Sequence, residues 1–154
     1  MSLVHTEVMQ LNATPEQVRE FIMTPDRILD YFPQPVEGGV LEPGRAIWCR
    51  GEMGVSMLAL LPEESSDDLV VVEVTTAIGL EAPYTRERIE ENTVFTMVED
   101  WALEAKDGGT ELTKSWRDVQ SKGPEPFPIA DAVKEGAIHE SAQLVEGWNA
   151  AAAG

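Results

Sequence analysis

The sequence contains little cysteine and little positive charge. Its 154 residues include one cysteine, Cys49, so neither an intramolecular disulfide nor a multi-cysteine metal site can form. A lone cysteine is compatible with a reducing cytoplasm, which is where we expect the protein. The 28 acidic side chains outnumber the 11 basic ones, and the net charge of −17 disfavours binding to nucleic acid and to anionic membrane surfaces.

Long apolar runs and catalytic motifs are also missing. No window approaches the roughly 18 consecutive apolar residues of a membrane-spanning helix, and the N-terminal residues lack the features of a signal peptide. The sequence has no Gly-rich phosphate loop and no nucleophile elbow, and its two histidines, His5 and His139, do not stand at metal-ligand spacing. We therefore expect one soluble domain over residues 1–154, a monomer or homodimer with no metal or other cofactor and no membrane insertion.

The first 35 residues predict a strand followed by two short helices. Residues 3–12 read as the strand. Thr14 and Gln17 then form a capping box with a proline in the first turn, and apolar residues follow at helical spacing. A second helix start at Thr24 opens another short helix, which Pro33 and Pro35 end.

The middle of the chain reads as strands separated by glycine and proline turns. No connection looks like a parallel crossover helix, so the sheet should be antiparallel. A long helix over residues 129–151 follows, with a buried stripe at helical spacing. The predicted strands are residues 45–50, 53–61, 69–78, 93–106 and 110–120, with an extra one near 84–89, and the helical stripe is Val133, Ala137, Leu144 and Trp148.

Four segments carry a family resemblance: residues 11–18 (LNATPEQV), 26–33 (DRILDYFP), 43–45 (PGR), and the hairpin that joins 101–104 to 109–113. In this order, and over nearly all of the chain, they resemble the START-like (SRPBCC) superfamily, specifically its polyketide cyclase/dehydrase-type branch. The resemblance implies an α+β helix-grip fold. In that fold a curved antiparallel sheet of six to seven strands wraps around a long C-terminal helix, with two short helices after the first strand. These motifs are typical of the fold and do not by themselves assign a function.

The 93–106 strand places a carboxylate among apolar residues. By alternation, Phe95, Met97, Glu99 and Trp101 share one face, which we expect to point inward. A carboxylate there is costly unless it is paired or protonated, and such a group suits a general acid or base. The plainer interpretation is that the Glu99 side chain is solvent-exposed near the strand end or forms a structural ion pair.

Pairing across the turn at residues 107–109 extends this face onto the last strand. Glu99 and Lys114 become diagonal neighbours within reach of a salt bridge, and Asp118 becomes a second candidate acid or base. A slip of one residue would exchange the two faces of the strand. The predicted facing pairs are Ala105–Thr110, Leu103–Leu112, Trp101–Lys114, Glu99–Trp116 and Met97–Asp118.

The other candidates are aromatic, methionine and basic residues expected to line an internal cavity. Trp48 and Arg50 share a strand face, where an arginine could orient a carbonyl or carboxylate of a ligand, although a surface stack is the plainer interpretation. Methionines tolerate ligands of varied shape, but an ordinary core uses the same residue types. The candidate ligand-binding residues are Trp48, Arg50, Met57, Phe95, Met97, Trp101, Lys114, Trp116, Leu144 and Trp148.

Three functions are compatible with the resemblance and these residues. The first is binding of a hydrophobic or aromatic small molecule, such as a lipid, a polyketide or a quinone-like compound, in an internal cavity. The second is an enzyme that resembles polyketide cyclases and dehydratases, in which Glu99 or Asp118 moves protons and Arg50 or Lys114 stabilises enolate charge. The third is an interaction protein that uses its acidic surface on a basic partner, similar to the chaperone-activating members of the superfamily.

Overall fold

A computed structural model describes residues 2–23, 35–42, 45–49, 55–81, 83–124 and 128–153. In this part of the chain, seven strands form one antiparallel sheet in the order β1-β7-β6-β5-β4-β3-β2. The strands are β1 (Leu3–Leu11), β2 (Pro35–Glu42), β3 (Arg45–Cys49), β4 (Val55–Leu60), β5 (Leu69–Ala77), β6 (Thr93–Lys106) and β7 (Gly109–Ser121). The helical segments are the first helix (Pro15–Met23), a 3-10 turn (Pro62–Glu64), the short helix (Arg86–Glu91) and the C-terminal helix (Ile129–Ala153).

The capping box predicted before the first helix is confirmed. The Thr14 backbone N–H donates to Gln17 Oε1 over 2.9 Å, and the Gln17 N–H donates to Thr14 Oγ1 over 3.2 Å. The helix that follows buries Val18, Phe21 and Ile22. The second short helix, predicted to begin at residue 24, lies outside the described residues.

The sequence does not predict β2, because Pro35 indicates the end of the second short helix and the two glycines, Gly38 and Gly39, indicate a turn. The strand pairs with β3, and its register shifts between Pro35 and Val40 and again between Val40 and Glu42. A proline at the first residue of an edge strand and glycines at an irregular register are the positions that a sheet tolerates. Turn residues therefore mark irregularities within this strand.

The extra strand predicted near residues 84–89 is wrong, since the structure has the short helix there. The Thr85 side chain caps the helix by accepting from the Arg88 N–H over 3.2 Å, and Arg86 and Glu90 form an i,i+4 ion pair at 3.1 Å. Ile89 is fully buried. Local capping and pairing stabilise a helix here, and Ile89 anchors it to the sheet.

The two faces of the sheet carry separate apolar clusters. The inner face, defined by Met9, Leu58, Val72, Val74, Met97, Trp101, Leu112 and Trp116, belongs to the main core together with the first and C-terminal helices. The predicted stripe of the C-terminal helix is confirmed, since Val133, Ala137, Leu144 and Trp148 are buried in that core. The outer face carries a smaller cluster of Val55, Met57, Ala77 and Ile89.

The arrangement places the C-terminal helix against β1 and β7. A seven-stranded antiparallel sheet with a long C-terminal helix on one face is the α+β architecture that the sequence predicted. Among the described helices, none has the length and apolar character needed to cross a membrane.

Candidate functional site

A buried ion pair lies on the inner face of the sheet. Lys114 Nζ is 3.1 Å from Glu99 Oε1, and each side chain is only 2% exposed. The two residues are diagonal neighbours because Trp101 pairs with Lys114 and Glu99 pairs with Trp116. The predicted register of this part of the hairpin, and the salt bridge that it implied, are both confirmed.

Two tryptophan rings contact the lysine of the pair. Lys114 Nζ lies 4.1 Å from the centroid of the Trp101 ring and 4.7 Å from that of Trp116, so the ammonium contacts both aromatic faces. The Trp101 indole N–H donates to Glu99 Oε1 over 3.3 Å. Because water is excluded, each of these electrostatic contacts is stronger than it would be at the surface.

The turn of the β6–β7 hairpin sets this geometry. Asp107 and Gly108 adopt φ values of 52° and 78°, the left-handed conformation that two-residue hairpin turns require. A Cβ on Gly109 would overlap the carbonyl oxygen of Leu11, so β1 approaches β7 closely at this end. Turn chemistry therefore fixes the register that brings the charged pair together.

On the β5 and β6 side, the surroundings of the pair are apolar. Val72 lies directly opposite Glu99, and Val74 lies opposite Met97 on the same pair of strands. Both valines are fully buried, and Phe95 and Met97 are 4% and 1% exposed. A charged donor and a charged acceptor therefore stand side by side in an apolar surface, which is the composition typical of small-molecule sites.

His5 joins this face, although sequence reasoning gave it no role. His5 pairs with Trp116 across β1 and β7, with ring centroids 6.0 Å apart, and its Nε2 lies 2.7 Å from Glu7 Oε1. Glu7 is in turn the cross-strand partner of Lys114. Alternation along β1 from the buried Leu11 would have placed His5 and Glu7 on the inner face.

Two further polar features lie in the core. Ser56 and Thr76 face each other across β4 and β5, and their hydroxyl oxygens are 2.9 Å apart in a fully buried position. On the C-terminal helix, Ser141 is 5% exposed, and its Oγ has no hydrogen-bond partner among the described residues. Ser141 follows Ala137 by four residues and precedes Leu144 by three, so it shares their core-facing side.

Asp118 does not join the inner face, which corrects the prediction that it faces Met97. β7 carries an extra residue beyond Arg117, and Asp118 adopts a φ of 54° at this bulge. The Asp118 carboxylate accepts from the Ser2 N–H and from Arg117, each over 2.7 Å. These hydrogen bonds, led by that from Ser2, hold the pKa of Asp118 below its usual value.

Arg117 extends from the outer face of the sheet. Its guanidinium donates to both carboxylate oxygens of Asp100, over 2.7 and 3.2 Å. This bidentate contact is the main cause that raises the pKa of the Arg117 guanidinium. The pair lies on the side of β6 and β7 away from Glu99 and has no part in the inner-face site.

Met57 also lies away from the inner face, although it was predicted to line the cavity. It is buried in the outer-face cluster with Val55 and Ile89, beneath the short helix. The inward positions of β4 are taken by Ser56 and Leu58. The structure places Trp48 on β3 opposite Ser56 in the register, whereas Arg50 lies outside the described residues.

The C-terminal helix supplies the other two predicted residues. Leu144 is 3% exposed and Trp148 is 7% exposed, both in the main core. The Trp148 ring meets Phe21 of the first helix edge to face, with centroids 5.2 Å apart. These contacts hold the C-terminal end of the C-terminal helix against the first helix.

The structure thus brings together most of the predicted site residues. Its inner face and the C-terminal helix hold Phe95, Met97, Glu99, Trp101, Lys114, Trp116, Leu144 and Trp148. In the part of the chain that the structure describes, no three histidine, cysteine or acidic side chains are grouped so that they could hold a metal ion.

Solved structures share this fold. The Mll3558 protein from Rhizobium loti matches with a TM-score of 0.62 and 15% identity, covering 92% of this chain and 94% of that chain. Ara h 8.0201 matches with a TM-score of 0.54 and 15% identity, covering 94% and 95%. The Aha1 dimer from Colwellia psychrerythraea matches with a TM-score of 0.51 and 11% identity, covering 93% of each chain.

These similarities confirm the helix-grip fold over nearly the whole chain, and at such low identity they show the fold alone. No protein-family model matches the sequence, and no curated protein matches it.

Proposed function

We propose that this protein binds a hydrophobic or aromatic small molecule between the inner face of its sheet and the C-terminal helix. The observation that carries the proposal is the Glu99–Lys114 pair, which is buried on the helix-facing side of the sheet, with Lys114 in contact with two tryptophan rings. Membership of the START-like superfamily, and of its polyketide cyclase/dehydrase branch, is part of the proposal. It is supported by the sequence motifs and the shared fold.

The energetics of the pair favour a functional role. Removing a charged group from water costs several kcal/mol per ion, and apolar side chains of similar volume are often as stabilising as a buried ion pair. Here both partners are 2% exposed in a core of valine, methionine and tryptophan. A purely structural core gains little from this arrangement, whereas a ligand site uses a few placed polar groups in an apolar surface.

Binding can be tested with N-phenyl-1-naphthylamine, a neutral apolar dye whose emission rises in an apolar site. We expect saturable binding by the wild-type protein. Leu144→Trp, which adds volume to the core-facing side of the C-terminal helix, should abolish it. Ile138→Trp on the same helix is the matched control, because Ile138 is 49% exposed. Binding that is absent from the wild-type protein, or that survives in a folded Leu144→Trp variant, would contradict the proposal.

A second candidate is an enzyme that resembles the polyketide cyclases and dehydratases. It is favoured by the 3.1 Å separation of a carboxylate and an ammonium on one face, since the first can move a proton and the second can stabilise an enolate. Glu99→Gln should then abolish turnover of a poly-β-ketone thioester while binding of the dye survives. Turnover that persists in Glu99→Gln would exclude Glu99 as the acid or base.

A further inference from the structure

The charge of the inner-face pair restricts the kind of ligand that it can receive. Lys114 and Glu99 carry opposite formal charges 3.1 Å apart, so the pair is neutral as a unit. Both side chains are 2% exposed, and a ligand group that reaches them must leave water to do so. An anionic group would meet the carboxylates of Glu99 and Glu7, and a cationic group would meet the Lys114 ammonium.

A neutral group that both donates and accepts is the complement of this pair. An ammonium offers three N–H donors and a carboxylate offers several acceptor sites, so each can engage the other and a third group. A hydroxyl accepts from Lys114 and donates to Glu99 at the same time. A ligand carboxylate would instead face the Glu99 carboxylate, and the protein's net charge of −17 disfavours anions further.

The surface around the pair suits an aromatic body. Trp101 and Trp116 are 0% and 1% exposed, and both rings contact Lys114 Nζ. Flat rings pack well against other rings in offset or edge-to-face arrangements. The hydroxyl group would therefore be carried on an aromatic or enolic ring.

A second, independent observation lies on the helix side. Ser141 is 5% exposed, on the side of the C-terminal helix that packs against β1 and β7, and its Oγ lacks a partner among the described residues. A buried hydroxyl without a partner costs free energy that a bound polar group would recover. Lys114 lies on β7, so the ligand would have polar contacts on both sides.

We propose, on the basis of the small-molecule binding inferred above, that the ligand is a neutral ring compound with at least one phenolic or enolic hydroxyl. That hydroxyl bridges Lys114 and Glu99, and Ser141 binds a second polar group of the same molecule. Fatty acids and other carboxylates are disfavoured at this position.

Probes that share one ring system test the inference in the wild-type protein. 2-Naphthol, naphthalene and 2-naphthoate differ only in their polar group, and their affinities can be measured by displacement of N-phenyl-1-naphthylamine. We expect 2-naphthol to bind about tenfold more tightly than either of the others. At least one dihydroxynaphthalene isomer should bind more tightly still, and Ser141→Ala should remove that additional gain.

The outcomes separate this inference from the function on which it rests. If neither the dye nor any naphthalene probe binds, small-molecule binding itself is wrong. If all probes bind with equal affinity, or 2-naphthoate binds best, binding stands and the assignment to neutral hydroxyl compounds fails. Glu99→Gln, where it folds, removes the carboxylate nearest Lys114, so the advantage of 2-naphthol over 2-naphthoate should shrink.

Discussion

Replacing one member of the buried ion pair should destabilise the protein far more than replacing both. Lys114→Met removes the ammonium and leaves the Glu99 carboxylate unpaired at 2% exposure. Breaking a buried pair in this way typically costs about 3–5 kcal/mol, and the contacts of Lys114 with the two tryptophan rings disappear as well. The double replacement, Glu99→Met with Lys114→Met, removes both charges of the pair. Its free energy of unfolding should equal that of the wild type or exceed it by up to about 4 kcal/mol.

Urea unfolding followed by far-UV circular dichroism measures both values, with an unchanged m-value as the check on two-state behaviour. The matched control is the Lys106–Glu111 pair of the same hairpin. Lys106 Nζ and Glu111 Oε2 are 2.7 Å apart, but the two side chains are 52% and 25% exposed. Lys106→Met should leave stability close to that of the wild type, because water screens the pair. Equal stability losses for Lys114→Met and Lys106→Met, or a double variant less stable than Lys114→Met alone, would contradict this prediction.

Three further predictions concern the first helix and the strands that surround the site. Thr14→Ala should cost about 1 kcal/mol by removing the helix cap, and Thr14→Ser should retain it; equal melting temperatures for the two would contradict this. Gly109→Ala should cost about 1–3 kcal/mol, because its Cβ would overlap the Leu11 carbonyl oxygen; a wild-type urea midpoint would refute it. The lowered pKa of Asp118 means that its contribution is complete above the unfolded pKa of about 3.9 and is lost as pH falls through the folded pKa. The difference in melting temperature between wild type and Asp118→Asn should therefore be constant above roughly pH 5 and shrink toward pH 2, and a pH-independent difference would exclude this linkage.

Much of the fold and half of the last hairpin could be read from the sequence, because local signals and alternation agree there. The turn at residues 107–109 fixes the register, and strict alternation along β6 and β7 then places Glu99 beside Lys114. Two periodic strands and one defined turn were enough to predict a buried ion pair. No long-range information was needed up to Trp116.

The prediction failed where alternation is interrupted or carries no information. Asp118 sits at a bulge held by its hydrogen bonds to Ser2, a contact between residues far apart in the sequence. Met57 belongs to a strand that is apolar on both faces, so its side is decided by the short helix that covers the outer face. The sequence predicts a strand where this helix lies, and therefore does not indicate that anything covers Met57 on the outer face.

The proposed function requires a ligand that enters between the inner face and the C-terminal helix and reaches the Glu99–Lys114 pair. A ¹⁵N-¹H correlation spectrum, recorded during titration with 2-naphthol, tests this most directly, because each tryptophan indole N–H gives its own signal. We expect the indole signals of Trp101 and Trp116 to shift in a saturable manner. The backbone amide signal of Ile89, in the short helix that covers the outer face, should not shift. Shifts confined to the surroundings of Ile89, or indole signals that do not move at saturating 2-naphthol, would contradict it.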